Sequence, residues 1–537
     1  MNLLTDKWIP VKRKEGQAEA IAPWQLTEEI DTNPIVSLDL PRPDFNGAMV
    51  QFLIGLLQTA FMPDREGQWR KYYDTPPSSE ELKTHFAKYE YAFNLDGDGP
   101  RFMQDSNLPA EVLEPQTISS LLIDEPAVNT VKENRDHFIK RNQIQSMSFS
   151  SAAFALFTLQ LNAPAGGAGH RTSLRGGGPL TTLVIPKNDP NLWRLVWLNV
   201  LSAEESRDLQ KLSKDPAECT DFDMFPWLSK TQTSEVGQTI TPSDAEWRLV
   251  FWATPRRIQL LTSEEKKIMC DISGYEQVGC IKKYVTKNYG ANYTHWLHPL
   301  SPHYSTKSYL LPMHPNVGGI SYRNWLGWTL GREDKLSIQA AKVVSVFLGS
   351  RYRNQIEASV WAFGYDMDNM KARGWQESKI PLFAFSNEDE KLSFRSIVQD
   401  VLIATEEVVN NLKSCVKNAW KIDKGTIGFV ETEFLQTTEG AFQILLTNSY
   451  ERVKQDVSDT VDDLRKEWHQ ILLRVSMDIF DRWVMSSDSW MISSDSDHED
   501  SFNVIRQRSN LEKFNYKAVI KKVLHLPRKI KKEAVSK

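Results

Sequence analysis

Residues 162 to 182 read Asn-Ala-Pro-Ala-Gly-Gly-Ala-Gly-His-Arg-Thr-Ser-Leu-Arg-Gly-Gly-Gly-Pro-Leu-Thr-Thr, and positions 165 to 179 hold six of the chain's 26 glycines. Glycine admits positive φ and lets backbone approach another molecule closely, and Arg171 and Arg175 put charge where a phosphate could lie. A phosphate-binding P-loop would need Gly-Lys-Ser/Thr, but here Gly169 is followed by His170-Arg171. It would also need a preceding strand, whereas Ser151 to Leu161 reads as an apolar helix stopped by Asn162-Ala163-Pro164. Two readings remain for the glycines: a structural turn cluster, or a loop that offers backbone to nucleic acid.

Further upstream, Asn46 precedes Ala48, Val50 to Leu53 and Leu56-Leu57, which predicts a buried helix capped by Asn46. From about 190 to 385, tryptophans, prolines and short alternating runs predict a mixture of helix and strand. Beyond Phe385 the pattern changes. Ile397, Val401, Ala404, Val408, Leu412 and Cys415 fall on one helical face. Val457, Val461, Leu464, Trp468, Ile471, Val475, Ile479 and Trp483 do the same, with shorter helices near Phe434 to Leu446 and Val504 to Val523. Ser486 to Ser501 reads as a loop. The fold class expected is α+β: a mixed α/β body over 1–385 and a C-terminal four-helix bundle over 386–537.

At 537 residues, two to four domains are expected. A 41% apolar and 25% charged composition is that of a globular protein. With 64 basic and 69 acidic side chains the net charge is −5, so any nucleic-acid contact must come from local basic patches. Four scattered cysteines make no disulfide framework and point to a reducing compartment. The start, Met-Asn-Leu-Leu-Thr-Asp-Lys-Trp, does not read as a signal peptide. The most apolar stretch, Met49 to Met62, is shorter than the about 20 residues of a membrane span. A cytoplasmic protein without a membrane partner is expected.

Other constellations are weaker. Asp366 and Asp368 suit either a two-metal site or a turn. His295, His298 and His303 surround Trp296 without a cysteine pair, so a packed aromatic loop competes with zinc. No Ser/His/Asp or Cys/His set assembles. Lys282, Lys283 and Lys287 interleave with Tyr284 and Tyr289; Lys132, Arg135, Lys140 and Arg141 flank Phe138; Lys521, Lys522, Arg528, Lys529, Lys531 and Lys532 crowd the end. Each run alone reads as a solvated face, and together they suggest a sided nucleic-acid surface.

The glycine segment, the opening Asn2-Leu-Leu-Thr-Asp-Lys-Trp-Ile-Pro10, Trp296 to Pro302, Tyr352-Arg-Asn-Gln355 and Gly364-Tyr-Asp-Met-Asp-Asn-Met-Lys-Ala-Arg373 together resemble the large-subunit family, CasA, of the type I-E CRISPR surveillance complex Cascade. The matches keep their order from residue 2 to about 385. The resemblance implies a DNA-recognition subunit and no enzyme. Such a subunit inspects double-stranded DNA for the protospacer-adjacent motif from the minor groove, whose degenerate pattern tolerates related motifs, and helps nucleate the R-loop. It implies motif contacts from Gly166, Gly167, Ala168 and Gly169, from Lys282 or Lys283, and from Asn354, with Gln355 as the duplex wedge. Ala168 stands where some relatives have glycine. Arg171, Arg175, Phe138, Lys140 and Arg141 are the implied backbone contacts, the last three also near the guide-RNA end. Implied partners are the guide-RNA-bearing subunits, the small subunits through the bundle, and the Cas helicase-nuclease. Some relatives bind zinc through paired cysteines. Met147 to Ser151 has none here, so no metal and no cofactor is expected.

Overall fold

Proline starts the first long helix, α1 (Pro43–Ala60), with Arg42 at its N-cap. Pro suits this position because the first helical N–H has no intrahelical partner. The helix therefore begins before Asn46, which is not the cap. Its amide instead bridges the entry, accepting from Leu40 N at 3.3 Å and donating to Arg42 O at 3.2 Å. α1 is buried on nearly all sides, so its glutamines need partners. Gln58 exchanges two 2.8 Å bonds with the backbone of Leu201. Phe52 on α1 lies within 5.5–6.1 Å of the rings of Trp8, Phe93, Phe102, Phe157 and Trp252, all edge-on, the arrangement that aromatic quadrupoles favour.

The computed structural model describes residues 1–125, 142–167, 169–263, 267–315, 318–333, 337–350, 352–368, 371–422, 427–455, 461–485, 497–516 and 523–526. They form two units. The first comprises Met1–Asn316 and Gly331–Leu382. Its strands β1 (Ile9–Arg13), β2 (Ala18–Ile21) and β3 (Ile35–Leu38) form an antiparallel sheet in the order β2-β1-β3. Helix α2 (Phe149–Asn162) is capped by Ser148, whose hydroxyl accepts from Ser151 N at 3.1 Å. Strands β4 (Gln116–Thr117), β5 (Thr181–Pro186), β6 (Arg257–Ser263) and β7 (Cys280–Lys287) precede the short helix α3 (Lys342–Gly349) and the hairpin of β8 (Ala358–Asp368) and β9 (Lys371–Pro381). One sheet runs β9-β8-β5 and another β4-β7-β6.

The second unit comprises Val317–Leu330 and Phe383–Lys537. Its long helices among the described residues are α4 (Glu388–Ala419), α5 (Gly428–Lys454), α6 (Val461–Phe480) and α7 (Asp497–Tyr516). α4 packs on the other three, and every apolar residue picked out between Ile397 and Cys415 is buried. The α6 stripe is buried at Leu464, Trp468, Val475 and Ile479, with Ile471 half-buried and Leu472 buried in its place, and a π-turn at Asp481–Met485 adds a residue to the last turn. Val484 is therefore buried and Trp483 exposed. Val457 lies outside the described residues, as do positions 486–496 of the expected loop; its last five residues are helical in α7. The segment 317–330 belongs with these helices because Tyr322 stacks on Phe442 at 4.3 Å and bonds Thr438 through its hydroxyl at 2.7 Å. No described helix is long and apolar enough to cross a membrane.

Candidate nucleic-acid interface

The glycine segment leaves the end of α2, not a strand, and feeds β5. Its tip is closed by Gly166 N on His170 O at 3.3 Å and His170 N on Gly167 O at 2.8 Å. Gly167 and Gly169 take φ of +64° and +86°, the left-handed region that side chains resist. Gly166 and Gly167 are exposed. Ala168 lies outside the described residues.

The loop is braced from below. Tyr289 donates its backbone N–H to Gly169 O at 2.9 Å, and a Cβ at Gly169 would meet the Tyr289 ring at 2.8 Å. Arg171 Nε donates to Ser234 Oγ at 2.8 Å, and that hydroxyl donates to Gly290 O at 2.7 Å. Arg256 donates to the Pro164 carbonyl. Tyr289 shows in the sequence only as an aromatic among lysines. Arg256 escapes a reading of the sequence; its signal is the Pro255-Arg-Arg257 triplet opening β6.

Arg175 departs from its expected role. It is only 3% exposed and donates to Thr181 Oγ1 at 2.9 Å, Ser301 Oγ at 3.0 Å and Gln51 Oε1 at 2.7 Å. It pins α1, β5 and the 298–303 loop together, out of reach of a surface phosphate. Burial among neutral partners lowers its pKa to about 9. His298 and His303 lie beside it in the core, their pKa values lowered by burial and then by Arg175, that of His303 to about 4. His295 stacks on Tyr309 at 4.0 Å. His298 and His303 are thus core residues, His303 opening a short strand over His303–Ser305, while His295 is exposed.

On β7, Leu261 pairs with Lys283 while Thr262 pairs with Ile281, so Lys282 is the extra residue of a β-bulge. Ile281 and Tyr284 both point inward, and the two lysines stand between them on the more open side. Strict alternation would have put Lys282 and Lys283 on opposite faces. β7 runs out at Lys287, two residues before Tyr289, which ties this strand to the glycine loop.

Asn354 and Gln355 fall in a 3-10 turn, Arg353–Gln355, between α3 and β8. The turn is anchored by its first residue. The Arg353 guanidinium is fully buried, 3.8 Å over the Trp69 ring, with Nη2 on Glu205 Oε2 at 2.9 Å. Arg353 N donates to Ser350 Oγ at 3.0 Å, and Tyr352 donates its hydroxyl to Asp74 under Arg70. Gln355 is exposed. Its turn enters β8 opposite Pro186, whereas the glycine segment enters β5 at Thr181. The glycine segment and Gln355 thus lie at opposite ends of a ladder about 17 Å long at 3.4 Å per residue.

Asp366 and Asp368 lie on β8, not in a loop. Arg373 across the hairpin holds Asp366 through bonds of 3.0 and 2.7 Å and reaches Asp368 at 3.4 Å, which neutralises the pair that a metal would need. Cys270 Sγ lies 3.3 Å from Ser151 Oγ. Burial works to raise its thiol pKa, but hydrogen bonds from Ser151, Ser273 and backbone bring it down to about 7. Among the described residues no three His, Cys, Asp or Glu side chains group as metal ligands. Phe138, Lys140 and Arg141, with Lys132 and Arg135, lie outside the described residues, as do Lys521, Lys522, Arg528, Lys529, Lys531 and Lys532.

The family model of CRISPR-associated protein Cse1 matches residues 2–479. Among solved structures, Thermobifida fusca Cse1 is similar at a TM-score of 0.70 and 14% identity, with 98% of each chain covered. CasA of Thermus thermophilus gives 0.65 at 14% identity, covering 95% of this chain and 99% of that one. A chain of a CRISPR RNA-guided surveillance complex gives 0.66 at 13% identity, covering 96% and 99%. At these identities the structural likeness speaks for the fold, while the sequence match spans nearly the whole chain. This protein belongs to the family of CRISPR-associated protein Cse1.

Proposed function

We propose that this chain, as a CRISPR Cascade subunit, reads the protospacer-adjacent motif in duplex DNA and starts its opening for guide-RNA pairing. The observation that carries this is the glycine loop: solvent-facing at Gly166 and Gly167, held in left-handed backbone, and braced by Tyr289 and Arg171. Glycines at 166, 167 and 169 can lay backbone donors and acceptors against the shallow edges of a minor groove. Asn354 and one of Lys282 or Lys283 add side-chain contacts, and Arg171 holds a phosphate with the guanidinium nitrogens that Ser234 does not use. Gln355, uncharged and exposed on a turn anchored by Arg353, is the wedge. Separating the first base pairs costs a few kcal/mol, offset by wedge, backbone contacts and seed pairing. Phe138, Lys140 and Arg141 serve the guide-RNA end, the helical unit meets the small subunits, and the assembled complex recruits the helicase-nuclease. No catalytic step is assigned to this chain.

The test is target binding by the guide-loaded complex, prepared with and without this chain, on duplexes with a randomised flank beside the matched target. Enrichment of particular flanks only when the chain is present supports motif reading. Equal, unselective binding in both samples leaves the chain an assembly role and removes the base-reading assignments.

A further inference from the structure

We infer that Arg256 seats a backbone phosphate of the DNA at the foot of the glycine loop. This rests on the motif-reading role proposed above and adds a contact to it. The backbone of Arg256 is fixed to the last turn of α2, with Gln160 Nε2 donating to its carbonyl at 2.9 Å and its N–H donating to Gln160 Oε1 at 3.0 Å. From there the side chain reaches under the loop and spends one donor on the Pro164 carbonyl. Nε is buried without a partner, and Nη1 lies 2.9 Å from where a Cβ of Gly166 would be.

Several arginines of this unit are matched by carboxylates, whereas Arg175 is satisfied by three neutral side chains and Arg171 bonds Ser234. Arg257 holds Asp105 at 2.7 Å, Arg248 holds Glu246 at 2.9 Å, and Arg353 holds Glu205 at 2.9 Å. Arg256 has no carboxylate among the described residues. Burial lowers its pKa only to about 10, so it stays a cation at neutral pH. Burial first and Arg256 second lower the pKa of His170 beside it. A half-buried cation whose Nη1 opens beside an exposed glycine, with Nη2 on Pro164 and Nε enclosed, lacks an anion. Nη1 can give a phosphate oxygen a charge-assisted hydrogen bond, and Arg171 two residues past the loop supplies a second cation. At position 166 any side chain would crowd Nη1 and His170, so glycine keeps the seat open.

The experiment measures duplex binding by the guide-loaded complex between 50 and 200 mM salt, with Arg256→Gln and Arg256→Lys beside the parent. Each neutralised phosphate contributes about 0.9 to the slope of log K against log salt. The slope for Arg256→Gln is expected to shrink by about 0.9, so the fourfold salt rise costs it about 3.5-fold less affinity than the parent. At low salt its binding weakens to a similar extent on every flank, with flank preference intact, and Arg256→Lys keeps the parental slope. An unchanged slope for Arg256→Gln, or a loss confined to some flanks, overturns the phosphate seat and leaves Arg256 a brace of the loop. If Arg256→Gln does not assemble, a slope for Arg256→Lys that falls by one phosphate also overturns it. Absence of flank preference in the parent complex is a separate result that sinks motif reading and not the seat.

Discussion

Gly169 shows how little freedom the loop has. Alanine there would hold φ near +86° and press its methyl into the Tyr289 ring. The strain is of order 1–2 kcal/mol, so Gly169→Ala is expected to lower melting temperature slightly and flank selectivity strongly; unchanged selectivity would show that the loop conformation does not matter to reading. His303 gives a pH effect. In the unfolded chain it takes a proton near pH 6.5, in the fold only near 4, because burial and then Arg175 oppose the charge. Its contribution to stability is complete above 6.5 and fades as pH falls toward 4, amounting to about 3 kcal/mol at most. Thermal melts should fall from pH 7.5 to 5, and His303→Gln should weaken that dependence, the rest coming from groups such as His298, whose pKa burial also lowers. The sequence displays the glycines and their charged neighbours. It cannot display that Arg175 turns inward, since Gln51 and Ser301, which receive it, lie 124 and 126 positions away. Asp366 and Asp368 mislead for a related reason: Arg373, which neutralises them, comes from the opposite strand of a hairpin.

At the scale of elements, what is legible is periodic. One face of α4 is apolar over its length and its N-cap Asn387 accepts from Glu390 N at 2.8 Å, so pattern and cap agree. Irregularities are illegible, because a bulge at Lys282 or a π-turn after Phe480 changes the period for a single turn and leaves composition untouched. The 3-10 turn carrying Gln355 has no pattern at all, and its position follows from Arg353. Gln355→Ala should leave initial DNA binding near the parental value while slowing duplex opening, read by the fluorescence of a base analogue beside the motif; equal opening rates would end the wedge assignment. Arg353→Gln removes the cation over Trp69 and leaves Glu205 with the Ser202 N–H but no cation, with a cost of about 3 kcal/mol. It should impair opening as Gln355→Ala does, although Gln355 itself is present.

At the scale of the molecule, the border between the units is interrupted, because Val317–Leu330 packs with helices that begin more than fifty residues later. Tyr322, Trp325, Leu326 and Trp328 are buried there, and Trp325 lies 5.9 Å from Phe394. Burying each large side chain is worth about 1.5–3 kcal/mol. A fragment 383–537 should therefore bind a hydrophobic dye and melt well below the same fragment with 317–330 joined by a flexible linker. Equal melting would mean that the segment adds nothing to the helical core. No local pattern in 317–330 announces this membership, since its tryptophans suit either unit.

The same segment sets a clock during synthesis. Tyr322 leaves the ribosome 120 residues ahead of Phe442, the ring it stacks on. At about 5–20 residues per second, that leaves its cluster of indole and aliphatic groups uncovered for about 6–24 s. For that interval the nascent chain carries a sticky stretch that its own later helices must claim before another chain or a chaperone does.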